Sequence, residues 1–309
     1  MIKELFFKCA RRILPQPLRQ KIRKILITVR YYCSEWIFCV PRRIQRILTS
    51  RPNIILFYPE HPLNRGCGYT IIYICLIQGY KMSRNPKGKY QLIMRWEDKT
   101  YGKIDQQLEN LANTHEIINL KCLDISKRHV DQVFHEVFGY SSLIDPFTYE
   151  EECVEKSNLN GKHDGRVVRC PLKEVKEDCV YQKLIINRYD DEYFVEMRVP
   201  IFMKTIPFVY LKYSPVNNRF KPSVKGTQEE VKNFLSPKEV ENILQFCESF
   251  GLDFGELDIL RDQTDNKIYI VDANNTPTIH FAGFTYQQKR HALKCMSRTF
   301  DKVFASISL

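Results

Sequence analysis

Gly255-Glu-Leu-Asp258-Ile-Leu-Arg261 and Ile268-Tyr-Ile-Val-Asp272-Ala-Asn274-Asn275-Thr-Pro277 decide how the chain is read. The two runs flank Asp262-Gln-Thr-Asp-Asn266, a cluster of turn formers, and predict a β-hairpin. With 262–266 as a five-residue loop, Arg261 faces Lys267 and Asp258 faces Ile270. Asp272 is then the diagonal neighbour of Asp258 on the same face. Asn274, two positions on, shares that face. A loop one residue shorter would turn Asp258 to the wrong side. Two carboxylates and an amide oxygen are too few for an all-protein metal cage. They suit Mg²⁺, which keeps waters and shares phosphate oxygens with a nucleotide. The plain alternative is a strand end followed by a turn, where Asp and Asn are common.

Upstream of the hairpin the pattern is a mixture of strands and helices. Ser236-Pro237-Lys238-Glu239 is a helix start, with Ser as N-cap, Pro at N1 and Glu at N3, and Gly251 closes that helix. Tyr193 to Phe202 and Pro207 to Tyr213 read as strands, as does Val180 to Ile186. Cys153 to Lys156 and Val167-Val168 read as a strand pair around the polar loop Ser157 to Gly165. Asp124-Ile-Ser-Lys127 opens a helix, with Asp124 as N-cap and Gly139 at its end. Residues 53–122 alternate strand and helix: strands at Asn53–Tyr58, Tyr90–Trp96 and Ile117–Leu120, helices at Tyr69–Gly79 and 103–113. That alternation predicts a small open α/β domain. A last helix covers 286–304, after Asp145-Pro146 has marked a boundary in mid-chain.

The chain has 309 residues, of which 44% are apolar and 27% charged, an ordinary globular composition that excludes a disordered or collagen-like chain. Its 11 cysteines, with no Cys-x-x-Cys pair, argue against a disulfide scaffold or zinc ribbon and for a reducing compartment. Net charge is +11, and residues 1–51 carry 13 Lys/Arg against the two acids Glu4 and Glu35, so the rest is neutral. The arm reads as basic amphipathic helices punctuated by Pro15, Pro17 and Pro41. It contains neither a secretory signal nor a membrane span, because charges interrupt every apolar stretch. One reading docks residues 1–51 on an anionic membrane surface, burying Leu5, Phe6, Phe7 and Trp36. The other packs the arm on the body with its basic face in water. Nucleic acid is the least favoured partner, since the body carries no net charge. The expected location is cytoplasmic, and peripheral on the inner face of a membrane if the arm docks.

Asp258 with Asp272-x-Asn274-x-x-Pro277 resembles the metal-binding end of the ATP-grasp superfamily, and other segments agree in order over about residues 120–280. The resemblance implies an α/β (α+β) ATP-grasp fold, two α+β subdomains sandwiching ATP. It also implies a division into an arm (1–52), a pre-ATP-grasp α/β domain (53–122) and the ATP-grasp domain (123–309). Metal would be held by Asp258, Asp272 and Asn274. Lys127, at the start of its helix, and Lys156, on the strand before the phosphate-covering loop, would contact phosphate. Gly161 and Gly165 belong to that loop. Gln182, Lys183, Leu184 and Ile185 resemble the hinge whose backbone bonds adenine. Asp190 or Asp191 would accept from the ribose hydroxyls. Glu196-x-Arg198-Val199 is similar to the acid-x-Arg-Val strand that follows. Arg198 would hold a phosphate or an acceptor carboxylate, and Lys212 would meet phosphates or the reacting group. The ordinary role for Glu196 is an ion pair with Arg198 or Lys212.

The implied cofactors are ATP and Mg²⁺, with Mn²⁺ as an alternative, and the implied partner is a small-molecule or peptide acceptor. Most of the superfamily phosphorylates a carboxylate and passes the acyl group to an amine or thiol. A minority are kinases acting on hydroxyls, and a nucleotide-binding protein without catalysis, docked through its arm, is a third possibility. The chain departs from the usual pattern at Asp272, where Glu is commoner, in a less glycine-rich loop, and after Asn274, where Pro-Gly is missing. Acceptor-facing candidates are Asn64-Arg65-Gly66-Cys67-Gly68, Arg95 to Lys99 and His280, each with an ordinary structural role as the stronger reading.

Overall fold

The computed structural model describes residues 40–49, 53–65, 68–162, 164–218, 224–279, 281 and 283–304. Most of the basic arm, with Gly66, Cys67 and His280, lies outside the described residues. Apolar runs build a parallel sheet first: β1 (Ile54–Pro59) pairs with β2 (Lys81–Ser83) and β3 (Leu92–Trp96), and β3 pairs with β4 (Ile117–Ile118). Its central strands are mostly apolar, with Ile55, Leu56, Phe57 and all of β3 buried, as a parallel sheet covered on both faces requires. Helix α1 (Thr70–Gln78) and α2 (Gln106–Ala112) make the crossovers.

Helix α3 (Lys127–Phe138) is capped by Ser126, whose hydroxyl accepts from His129 N at 3.4 Å. Asp124, the expected cap, instead accepts from Ser126 N at 2.7 Å and shapes the turn before the helix. A three-stranded antiparallel sheet follows, ordered β6 (Arg166–Arg169), β5 (Glu152–Ser157), β7 (Cys179–Lys183). Strand β7 stops at Lys183 and not Ile186, because Lys183 N–H donates to Ser142 and the chain turns away. Cys153 and Cys170 are free thiols here, with their sulfurs 3.3 Å apart.

The largest sheet is antiparallel, ordered β10 (Lys225–Glu229), β9 (Val209–Pro215), β8 (Tyr193–Phe202), β11 (Phe254–Arg261), β12 (Ile268–Asn274). Its apolar face, with Val199, Ile201, Leu257, Ile259 and Ala273, is buried against α3 and α4 (Pro237–Phe250). Helix α4 has the capping box read from its sequence, Ser236 to Glu239 in both directions, and ends at Gly251 with φ +74°. The last helix, α5 (Tyr286–Phe304), packs on α1, and Phe300 joins one core with Ile55, Phe57, Phe202 and Phe254. Each such ring buried from water stabilises the fold by about 1.5–3 kcal/mol.

Candidate active site

The polar face of the large sheet collects the chemistry. Arg198 on β8 lies opposite Asp258 on β11, and Asp258 lies opposite Asp272 on β12. Glu256 pairs with Asn274, and Glu196 with Lys212. The hairpin reaches this arrangement by a route other than the expected one. Its strands end at Arg261 and Ile268, so Arg261 faces Ile268 and the loop is one residue longer. That alone would put Val271 opposite Asp258. A β-bulge between Asp258 and Ile259 restores the face by giving β12 one extra residue. Bulges re-aim side chains in this way and gather at active sites. Gly255 lets the strands meet: a Cβ there would lie 2.5 Å from Asn274 O.

Asp258 is held bidentately by Arg198, with Nε to Oδ1 at 2.7 Å and Nη2 to Oδ2 at 2.9 Å. Burial opposes its ionisation, but Arg198 and Lys212 hold its carboxyl well below the usual range. Glu256 Oε2 stands 3.5 Å from the same guanidinium. Burial pushes Glu256 up to about 7, with Arg198 pulling the other way. Glu196 takes the ion pair with Lys212. The guanidinium fork of Arg198 is therefore filled by Asp258, which makes it a positioning group as it stands.

The three-stranded sheet faces these residues through its cations. Lys156 on β5 donates to Val271 O at 3.2 Å, the carbonyl freed at the bulge. Burial lowers Lys156 to about 8, with Lys127 adding to the shift and Asp272 opposing it. Lys127, at the first turn of α3, donates to Leu159 O at 3.0 Å and lies 3.9 Å from Asp272 Oδ1. The loop carrying Gly161 (φ +72°) and Gly165 is tied down at its start. Lys127 N donates to Asn158 O, Asn158 Nδ2 to Tyr101 and Asn160 N to Thr100.

The hinge candidates divide. Gln182 is buried and its amide donates to Ser142 Oγ at 2.8 Å. Lys183 sends its side chain to Asp262 at 2.7 Å and away from the polar face. Leu184 lies beyond the strand end, and Ile185 is buried. Asp190 is not brought to the site: its Oδ1 accepts from Glu192 N and Tyr193 N at 2.8 Å and holds a turn. Asp191 is exposed beside Arg188. Near Asn274, Asp98 accepts from Tyr69 and Thr276 at 2.6 and 3.3 Å. Arg95 is buried on Cys122 O and Glu97, an ordinary structural role.

Two residues escaped the sequence reading. Glu256 alternates with Asp258, a period-two signal open to inspection. Asn119 (φ +62°) ties Asp253 and Phe254 by its side chain, and a lone Asn after a strand gave no such cue.

Asp272 Oδ1 is buried and has no hydrogen-bond partner. Burial raises the Asp272 carboxyl against the pull of Lys127 and Lys156. Both Asp258 oxygens are taken by Arg198 and Asn274 Oδ1 accepts from Thr276 N at 2.9 Å, so Asp272 Oδ1, without a hydrogen bond and 3.9 Å from Lys127 Nζ, is the hard oxygen donor left for a cation such as Mg²⁺. Among the described residues, no group of three or more His, Cys, Asp or Glu can hold a metal by itself. An ion here would take its remaining ligands from phosphate and water.

No family model matches the chain, and neither does any curated protein. Solved structures do. The ATP-grasp ligase PsnB complexed with minimal precursor is 10% identical, with 81% of this chain and 99% of that chain covered at TM-score 0.50. The same ligase with a phosphomimetic variant of the precursor, Mg and ADP gives 10%, 80%, 98% and 0.51. D-alanine–D-alanine ligase from Bacillus anthracis is 12% identical, covering 84% of this chain and 97% of that one at 0.49. A parallel sheet followed in the chain by two antiparallel ones, and a likeness to PsnB along almost its whole length, give one conclusion: the chain has the ATP-grasp fold.

Proposed function

We propose that the chain is a MgATP-dependent enzyme that joins a carboxylate to an amine or thiol through an acylphosphate. The observation that carries the reading is the apposition of Lys127 and Lys156 to Asp258, Asp272 and Asn274, with an oxygen of Asp272 left without a hydrogen bond. A triphosphate needs cations along it and an anionic metal clamp at its end, and these residues supply both. Lys127, Lys156 and Lys212 bind phosphate oxygens as point charges. The loop around Gly161 and Gly165 covers them with backbone N–H groups. Of the hinge Gln182 to Ile185, whose Lys183 N–H is already given to Ser142 O, the backbone groups of Leu184 just beyond β7 take the adenine. Asp258, Asp272 and Asn274 hold Mg²⁺, which neutralises charge as the γ-phosphoryl group leaves. Arg198 fixes Asp258 in its ionised, correctly turned form. PsnB structures hold a precursor peptide, so a peptide is the first acceptor to try.

The test is ADP release from MgATP over a panel of carboxylate, amine, thiol and peptide acceptors. Asp272→Ala and Asn274→Ala are expected to lose both MgATP binding and turnover while staying folded. Unchanged MgATP affinity in the folded variants rejects the site. A phosphorylated acceptor with no amide or thioester moves the assignment to a kinase.

A further inference from the structure

A cavity of about 370 Å³ opens between α1 and α5. Its walls come from Tyr73 and Ile77 on α1, Ile279 and Phe281 after β12, and Leu293 on α5. Its size falls within the range of small-molecule sites. Arg42, Lys289, Arg290 and Lys294 also line it, and among the described residues no acid pairs with Arg42, Lys289 or Lys294. Arg42 donates to neutral acceptors, Ile77 O at 3.1 Å and Gln78 Oε1 at 2.9 Å. Among the described residues, neither Lys289 nor Lys294 makes an ion pair.

The surroundings repeat the same charge. Helix α5 carries five Lys/Arg and one acid, Asp301, which is engaged by Arg46 and Tyr80. The helical residues 40–48, reaching the cavity through Arg42, leave Ile44, Ile47 and Leu48 at 52%, 67% and 79% exposure. An apolar hole rimmed by these cations is complementary to an anion with an apolar body. Inorganic phosphate would leave the hole empty, and a neutral hydrocarbon would leave the cations unmatched.

We infer that this cavity is a binding site for an anionic amphiphile, with a single apolar chain in the hole and a carboxylate or phosphate head on Arg42, Lys289 and Lys294. The inference is independent of the proposed ligase chemistry, since none of these residues belongs to that site. The chemistry is shared by a soluble acyl or alkyl anion and by an anionic lipid offered by a bilayer.

The test is calorimetric titration of the full chain with dodecyl phosphate below its micelle concentration. Inorganic phosphate and dodecyl trimethylammonium serve as controls. Stoichiometric binding of dodecyl phosphate alone is expected, weakened tenfold or more by Lys294→Glu and by Ile77→Trp. Anionic vesicles that compete the monomer away identify a bilayer lipid as the source. Monomer binding indifferent to vesicles identifies a free ligand. No binding of dodecyl phosphate, or equal binding by both folded variants, overturns the inference.

Discussion

Lys156 is a cation brought into titration range by its surroundings. Burial lowers it from 10.5 to about 8 in the free protein. A triphosphate placed beside it returns the ammonium to its ordinary range. MgATP binding is therefore expected to take up a proton between about pH 8 and 10.5, and none near pH 6, where the side chain is already charged. Calorimetry in buffers of different ionisation enthalpy reads this directly. Lys156→Arg removes the uptake, because a guanidinium keeps its proton throughout. Uptake that survives in that variant places the titrating group elsewhere. Stability follows the same shift. The folded value lies below the unfolded one, so the charged lysine costs folding energy in full below pH 8, and the cost is relieved as pH climbs towards 10.5.

The hairpin of β11 and β12 shows how an element converts sequence into a site. Alternation placed Asp258, Asp272 and Asn274 together, and they do share a face. The turn length was misjudged, because six polar residues between strands do not reveal which one still pairs. Two offsets, a longer loop and a bulge, cancel, so parity survived where register did not. Close approach at Gly255 fixes the result: any side chain there meets Asn274 O. Gly255→Ala is expected to cost about 1–3 kcal/mol through overpacking. It should also push Asn274 off the shared face and lower MgATP affinity at least about tenfold, or about 1.4 kcal/mol. Thermal melting and nucleotide titration of the same variant separate the two effects. A wild-type affinity in a destabilised variant would show that Asn274 is not a ligand. Strands β2 and β10 went unread for a different reason. Each is short and at a sheet edge, and Lys225-Gly-Thr-Gln-Glu229 has no apolar alternation to announce it.

Across the molecule, the sequence was legible wherever periodicity or capping is local, as in α4, α5 and the parallel strands β1 and β3. It was not legible where a partner distant in sequence decides. The side chain of Lys183, for instance, is claimed by Asp262, 79 positions on. The Arg198 guanidinium is claimed by Asp258, 60 positions on. The charge balance of the body likewise concealed the basic surface of α5. The loop over the lysines joins the parallel-sheet region by two side-chain contacts, Asn158 to Tyr101 at 2.9 Å and Asn160 N to Thr100 at 3.0 Å. These contacts span the boundary that we propose between residues 53–122 and 123–309. Thr100→Val with Tyr101→Phe removes both and leaves the backbone pairing of residues 100 and 101 intact. Each bond is worth about 0.5–1.5 kcal/mol net, and partial exposure puts these at the low end. The closed loop should lose about 1 kcal/mol, or roughly fivefold in population. Amide exchange at residues 158–162 is expected to rise by that factor, and ATP affinity to fall by it, with the rate of bound turnover unchanged. Exchange equal to the parent would mean that the loop is held from its own side, by Lys127, Arg128 and Asp178, and not by the parallel-sheet region.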